Sequence, residues 1–145
     1  MAHLPIEQTD LFKAYEEVAD WAWGVACLWD HRKWQAVGDQ LVRSAASVNA
    51  NLAEGDGRGS DADALRFFVI ARASAREARL WLQRAEKWCD VPSCEVQPQL
   101  DKLTEATRSL NALIRYRRNA PPQRVRESEG IYLTHQEDTV FNEDI

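Results

Sequence analysis

The chain has little of what staples a protein or holds a metal. Its three cysteines (Cys27, Cys89, Cys94) are an odd number with no CxxC pair, and only His3, His31 and His135 could join them as soft ligands. A disulfide framework and a zinc site are therefore not expected, and no cofactor is predicted. With six glycines and five prolines in 145 residues, neither a multi-domain nor a wholly disordered chain is expected. No apolar run nears the roughly 18 residues of a membrane span. The opening MAHLPIEQTD lacks the basic-then-apolar layout of a signal peptide, so the expectation is a cytoplasmic chain without a membrane partner. Strand-like alternation and hairpin dipeptides are also missing.

What is present is a helical pattern at 45% hydrophobic residues. A chain of this length buries roughly 68–70% of its surface on folding, enough for one core. Leu11, Tyr15, Val18, Ala22, Val25 and Trp29 recur at steps of three and four and predict a helix over about 9–31. Trp34, Val37, Leu41, Ala45, Val48 and Leu52 predict a second over 33–54, stopped by the cluster from Gly55 to Gly59. Ser60 with Asp63 resembles a capping box opening a third over 60–90, whose stripe Ala64, Phe68, Ala71, Ala75, Ala78, Leu82 and Ala85 is dominated by small residues. Leu100, Leu103, Thr107, Leu110 and Ile114 predict a fourth over 98–118, ended by Pro121-Pro122. Four helices joined by short loops run alternately up and down, so the fold class is all-α, an antiparallel four-helix bundle over 1–118.

This bundle has more apolar surface than one core consumes. On a wheel, Phe67, Ile70, Trp81 and Trp88 fall on one flank of the third helix's stripe, while Leu65, Val69 and Leu80 fall on the far side. Phe12 and Trp23 lie off the first helix's stripe. Phe12, Trp23, Leu65, Val69, Leu80, Trp81 and Trp88 are thus the candidate interface of a homo-oligomer. Five of the six tryptophans lie on or beside a helical stripe, which packing explains better than a cofactor box.

Net charge is −5, but unevenly spread. Residues 1–31 carry one base and six acids, 32–126 carry 17 bases and 11 acids, and 127–145 carry six acids and no Lys or Arg. The middle alone is +6. Arg72, Arg76 and Arg79 share one sector of the third helix, and Arg115, Arg117 and Arg118 crowd the end of the fourth with Arg124 and Arg126 beyond. A solvated face with cations at a helix C-terminus explains this pattern. Contact with RNA or DNA phosphate is the functional alternative, with Tyr116 placed to stack on a base. The tail 119–145 is expected to be extended or docked. Its spaced Ile131, Tyr132, Leu133, Val140 and Phe141 among acids suit a segment that settles on a basic or apolar surface of its own or a neighbouring subunit and competes there with nucleic acid.

The stretch Gln40-Leu41-Val42-Arg43-Ser44-Ala45-Ala46-Ser47-Val48-Asn49-Ala50-Asn51-Leu52-Ala53-Glu54-Gly55 resembles the signature Q-L-R-R-A-A-x-S-V-x-x-N-I-A-E-G of the four-helix-bundle proteins encoded in intervening sequences of 23S rRNA genes. Gly57-Arg58-Gly59-Ser60, the run from Leu65 to Ser74, and Glu77 are similar to that family's following motifs. Ala73, Ala78 and Val42 depart from the pattern, the last removing a positive charge. The resemblance implies a left-handed bundle assembling as a ring, commonly a homopentamer. It marks Gln40, Arg43, Ser47, Asn51, Glu54, Gly55, Arg58, Ser60 and Glu77 as family positions with structural or interface roles. A more distant similarity, to the accessory variability protein of diversity-generating retroelements, implies a partner such as RNA, DNA or a nucleic-acid enzyme.

No catalytic residue is expected. Glu54 with Glu77 as a general-base pair would need a cleft. The Gly55-x-Gly57-x-Gly59 loop lacks a P-loop lysine and is ringed by Glu54, Asp56, Asp61 and Asp63, which repel a phosphate. The expected function is a non-enzymatic scaffold or accessory. Direct nucleic-acid binding by the basic face and a small-molecule site in the bundle or ring channel are the alternatives.

Overall fold

The computed structural model describes residues 4–121, together with the backbone alone at 125–127 and 130–132. A 3-10 turn, Ile6–Gln8, leads into α1, Asp10–Ala26, where the Thr9 hydroxyl accepts the Phe12 N–H at 3.4 Å. The next helix, α2, is continuous through three stretches: His31–Lys33, a π-helical Trp34–Gly38, and Asp39–Asp56. Asp30 caps its start by accepting the Lys33 N–H at 2.9 Å. Helix α3 spans Asp61–Trp88 behind the Ser60 cap, whose hydroxyl accepts the Asp63 N–H at 3.3 Å as the sequence pattern predicted. The last helix, α4, is Ser93–Arg118.

Each neighbouring pair runs antiparallel, as the cross-helix contacts show. Between α1 and α4, Tyr15 meets Thr107 at 2.9 Å and Glu17 meets Lys102 at 3.0 Å, so one number rises as the other falls. Between α3 and α4, Arg72 pairs with Asn111 and Arg79 with Leu100 and Thr104. The Asn49 amide donates to the Phe12 carbonyl between α2 and α1, and the Ser47 and Ser74 hydroxyls meet at 3.1 Å between α2 and α3. Helix α1 packs on α2 and α4, and α3 packs on both as well. The result is a closed square of four helices, up-down-up-down.

The seven-residue stripe read along α3 is the core stripe, all seven side chains being buried. In α2, Val37, Leu41, Ala45, Val48 and Leu52 are buried as expected, while Trp34 is only partly so. Helix α3 comes close to α2 at Gly55, buried in α2, where a Cβ would come within 2.8 Å of the Phe68 ring and 3.0 Å of Phe67 Cβ. The glycine cluster therefore does more than end a helix: α2 runs through Gly55, and that residue lets α3 dock.

Several expectations are corrected. The core stripe of α1 is Phe12, Tyr15, Val18, Ala22 and Ala26, with Leu11, Val25 and Trp29 packed beside it. Phe12, offered as an interface residue, is thus a core residue, clustered with Ile6 and the buried side chains of α2 on that flank. Helix α1 ends five residues early, the chain needing a turn before the Asp30 cap. Helix α4 begins at Ser93 and carries Pro98 inside it, where the ring's fixed φ suits a helix and the missing N–H leaves only the carbonyl of exposed Cys94 unpaired. A short antiparallel ladder, Val125–Glu127 with Gly130–Tyr132, was not foreseen, being too short for alternation to register. Arg124 and the tail from residue 133 lie outside the described residues, and of Arg126 only the backbone is described. Among the described residues no helix is long and apolar enough to cross a membrane, and no group of His, Cys, Asp and Glu could hold a metal ion.

Candidate functional site

The basic residues divide by partner. Several cations of the bundle sit against carboxylates: Arg43 with Asp39, Arg58 with Glu54, Lys102 with Glu17, Lys33 with Asp90. Arg72 and Arg79 differ, being held by neutral oxygens. Arg72 donates to Asn111 Oδ1 at 3.0 Å, and Arg79 donates to the Leu100 carbonyl at 3.1 Å and to the Thr104 hydroxyl. Both keep their charge uncompensated by any carboxylate among the described residues. They flank a groove between α3 and α4 with Ala75 and Leu103 on its floor and Arg76, Arg79, Thr104, Thr107, Arg108 and Asn111 on its sides. Arg108 was missed in the sequence. Its signal was its place four residues after Thr104 and seven before Arg115, on the side of α4 that faces Arg72 and Arg79.

Arg115 and the 72% exposed Tyr116 line a second shallow hollow with Asn119, Ala120 and Pro121 at the end of α4. Arg118, also exposed, lies one turn on from Arg115. Arg117, by contrast, is not a surface cation. Its guanidinium bonds Asp61 at 2.8 Å, lies 4.0 Å from Asp56 and sits 5.9 Å above the Phe68 ring. Asp56 in turn accepts the Ile6 N–H at 3.0 Å. This arginine is a structural clamp, its guanidinium turned to two aspartates and not to solvent.

Most of the family positions are engaged in structural contacts. Asn51 donates back to Ser47 at 2.8 Å, which reaches Ser74 across the α2/α3 seam. Gly55 admits Phe68, and Ser60 caps α3. Arg43 and Gln40 are exposed. Glu54 pairs with Arg58 at 2.5 Å and Glu77 accepts the Trp81 indole N–H at 3.3 Å, so each acid is engaged along its own helix rather than with the other. Arg58 also lies 4.7 Å over the Phe67 ring. Tyr15, deep in the bundle, has its phenol pushed above the ordinary value by burial, partly offset by its bond to Thr107. The Cys89 thiol is likewise raised by burial, and all three cysteines are free.

Of the candidate association residues, Trp23, Leu80 and Trp88 are exposed, whereas Leu65, Val69 and Trp81 are partly buried against the core. Ile70, which the wheel placed beside Trp81 and Trp88, is exposed too. Ile70, Ala73, Glu77, Leu80, Trp81, Arg84 and Trp88 follow at steps of one, three or four on the outer side of α3, away from its alanine stripe. Arg84 stacks on Trp88 at 4.8 Å, covering one face of an indole that is still 54% exposed.

The model of the 23S rRNA-intervening sequence protein family matches residues 7–112. Among solved structures the chain is similar to a protein of unknown function from the S23 ribosomal protein family of Bacteroides thetaiotaomicron. That protein is 23% identical, with 72% of this chain and 97% of that one covered at a TM-score of 0.65, a likeness of fold. No curated protein matches the chain.

Proposed function

Since the chain belongs to the 23S rRNA-intervening sequence protein family, we propose that it is a non-enzymatic scaffold that self-associates through the outer face of α3 into a ring of left-handed bundles, a homopentamer, and serves a nucleoprotein in the cytoplasm. The exposed apolar row Ile70, Leu80 and Trp88, with Trp81 beside it, carries this reading. A helix whose inner stripe is already consumed by its own bundle has no intramolecular use for a second one. A ring of identical chains buries that row once per subunit by a head-to-tail contact that closes. Light scattering on wild-type protein at micromolar concentration should give about 83 kDa for five chains of 16.6 kDa. Leu80→Glu/Trp88→Glu should fall to one chain with its helical circular dichroism intact. A wild-type mass of a single chain overturns the proposal.

A second reading is favoured by the uncompensated Arg72, Arg79 and Arg108: the α3/α4 groove binds the phosphate backbone of single-stranded nucleic acid, gaining avidity from repetition around a ring. Anisotropy of a labelled single-stranded RNA should show binding at 50 mM salt that weakens at least tenfold by 200 mM. Arg79→Ala/Arg108→Ala should lose most of it, and no binding at 50 mM removes this reading.

A further inference from the structure

We propose that the α3/α4 groove is the docking site of this chain's own acidic tail, which lies along it as a phosphate-chain mimic. The inference rests on the groove's charge and shape and holds whether or not nucleic acid binds there.

Three observations converge on this occupant. First, Arg72 and Arg79 are pre-positioned by neutral acceptors, and Arg108 stands exposed across from them, so these three arginines present positive charge with no ion pair to a carboxylate among the described residues. An arginine already held by one hydrogen bond loses little side-chain entropy when it meets an anion. The acids facing this region from the packed helices do not close it. Asp101 accepts from Gln97 at 2.8 Å along its own helix, Glu105 is exposed beside Thr104, and Glu77 is engaged with Trp81 on the outer face of α3.

Second, residues 127–145 hold six acids and no Lys or Arg, and Glu137-Asp138 and Glu143-Asp144 bracket Val140 and Phe141. Acidic pairs around an apolar pair match a groove of arginine sides and an Ala75–Leu103 floor. Third, the connection is long enough. From Arg118, where α4 ends, back to Arg108 is about 15 Å of helix at 1.5 Å per residue. Even with 125–132 committed to the short ladder, the thirteen residues 133–145 span up to about 43 Å when extended. An intramolecular segment also acts at millimolar effective concentration, so contacts of modest strength suffice.

The test uses the full chain with a photoreactive phenylalanine in place of Phe141. On irradiation the cross-link should map to residues 72–79 or 103–111, and the product should run at the mass of one chain on a denaturing gel. Glu137→Gln/Asp138→Asn/Glu143→Gln/Asp144→Asn, or 500 mM salt, should cut the yield at least fivefold, since a solvent-exposed ionic contact is screened within a few ångströms at that strength. Arg79→Glu/Arg108→Glu should do the same, and adding Glu137→Lys/Asp138→Lys to it should restore the cross-link, which a misfolded groove could not. Cross-links on the outer face of α3, a product of two-chain mass, or a yield indifferent to salt each overturn the inference. Because no RNA enters this measurement, a failure here leaves the nucleic-acid reading standing, and loss of RNA binding leaves the docked tail standing.

Discussion

Phe68→Ala is expected to destabilise the bundle by about 3–5 kcal/mol, read as a lower urea midpoint at unchanged slope in circular-dichroism melts. The ring is fully buried, and its surroundings are poorly placed to collapse into the space it leaves. On one side stands Gly55, whose Cα is all that α2 offers at that level, a hypothetical Cβ lying 2.8 Å from the ring. On another stands the Arg117 guanidinium, fixed by two carboxylates. Neither neighbour has a side chain free to swing inward, so the cavity term adds fully to the lost transfer energy. Phe67→Ala provides the contrast. That ring is half-buried and covered by Arg58 at 4.7 Å, and its loss should cost about 1 kcal/mol, mostly a partly exposed cation–π contact and some area. Equal losses at the two positions would show that the close approach at Gly55 does not set the cost.

The same pair of phenylalanines shows where the sequence could be read and where it could not. Phe68 was legible because it falls on a stripe of period three and four with six other small or apolar residues, all of which the fold buries. The stripe of α1 was right at Tyr15, Val18 and Ala22 but off by one position at its start, because Leu11 and Phe12 are adjacent apolar residues. Which of the two is covered is decided by packing, Phe12 joining Ile6 and the buried residues of α2 in the core cluster. Boundaries slipped at Pro98 for a local reason: proline reads as a stop, yet near the start of a helix its lost hydrogen bond is one that exposed backbone and water can supply. The groove was half legible. Arg72, Arg76 and Arg79 could be grouped by spacing on one helix, but Arg108 comes from the other wall, and no periodicity links residues on separate helices. The identity of each arginine's acceptor is likewise a property of packing. A run of Arg115, Arg117 and Arg118 looks uniform in sequence, although one of the three turns inward to two aspartates and the others stay at the surface.

Arg117→Ala should therefore act on stability, costing about 2–3 kcal/mol by urea melt, somewhat below a fully buried pair because the partners retain 13–21% side-chain exposure. The guanidinium ties the first residue of α3 to the end of α2. Through Asp56, which also accepts the Ile6 N–H, it fixes the turn before α1, so one side chain from α4 gathers all four helices at this end of the bundle. Its removal leaves two poorly hydrated carboxylates at this end of the bundle without the guanidinium they share, and their repulsion, more than the lost attraction, sets the cost. A test of this account is the cycle with Asp61→Asn: relieving one of the two like charges should return about 1–2 kcal/mol to the Arg117→Ala background, although Asp61→Asn alone is destabilising. Additive losses would show that the arginine acts through its contact with Phe68 instead. The outcome also bears on how nucleic-acid binding must be probed. A weaker RNA complex in Arg117→Ala reports a loosened bundle end, with α3 and α4 free to part and the groove widened. The proposed phosphate contacts are better probed at Arg79, whose acceptors are neutral, and at the exposed Arg108, since the loss of either leaves no buried charge behind.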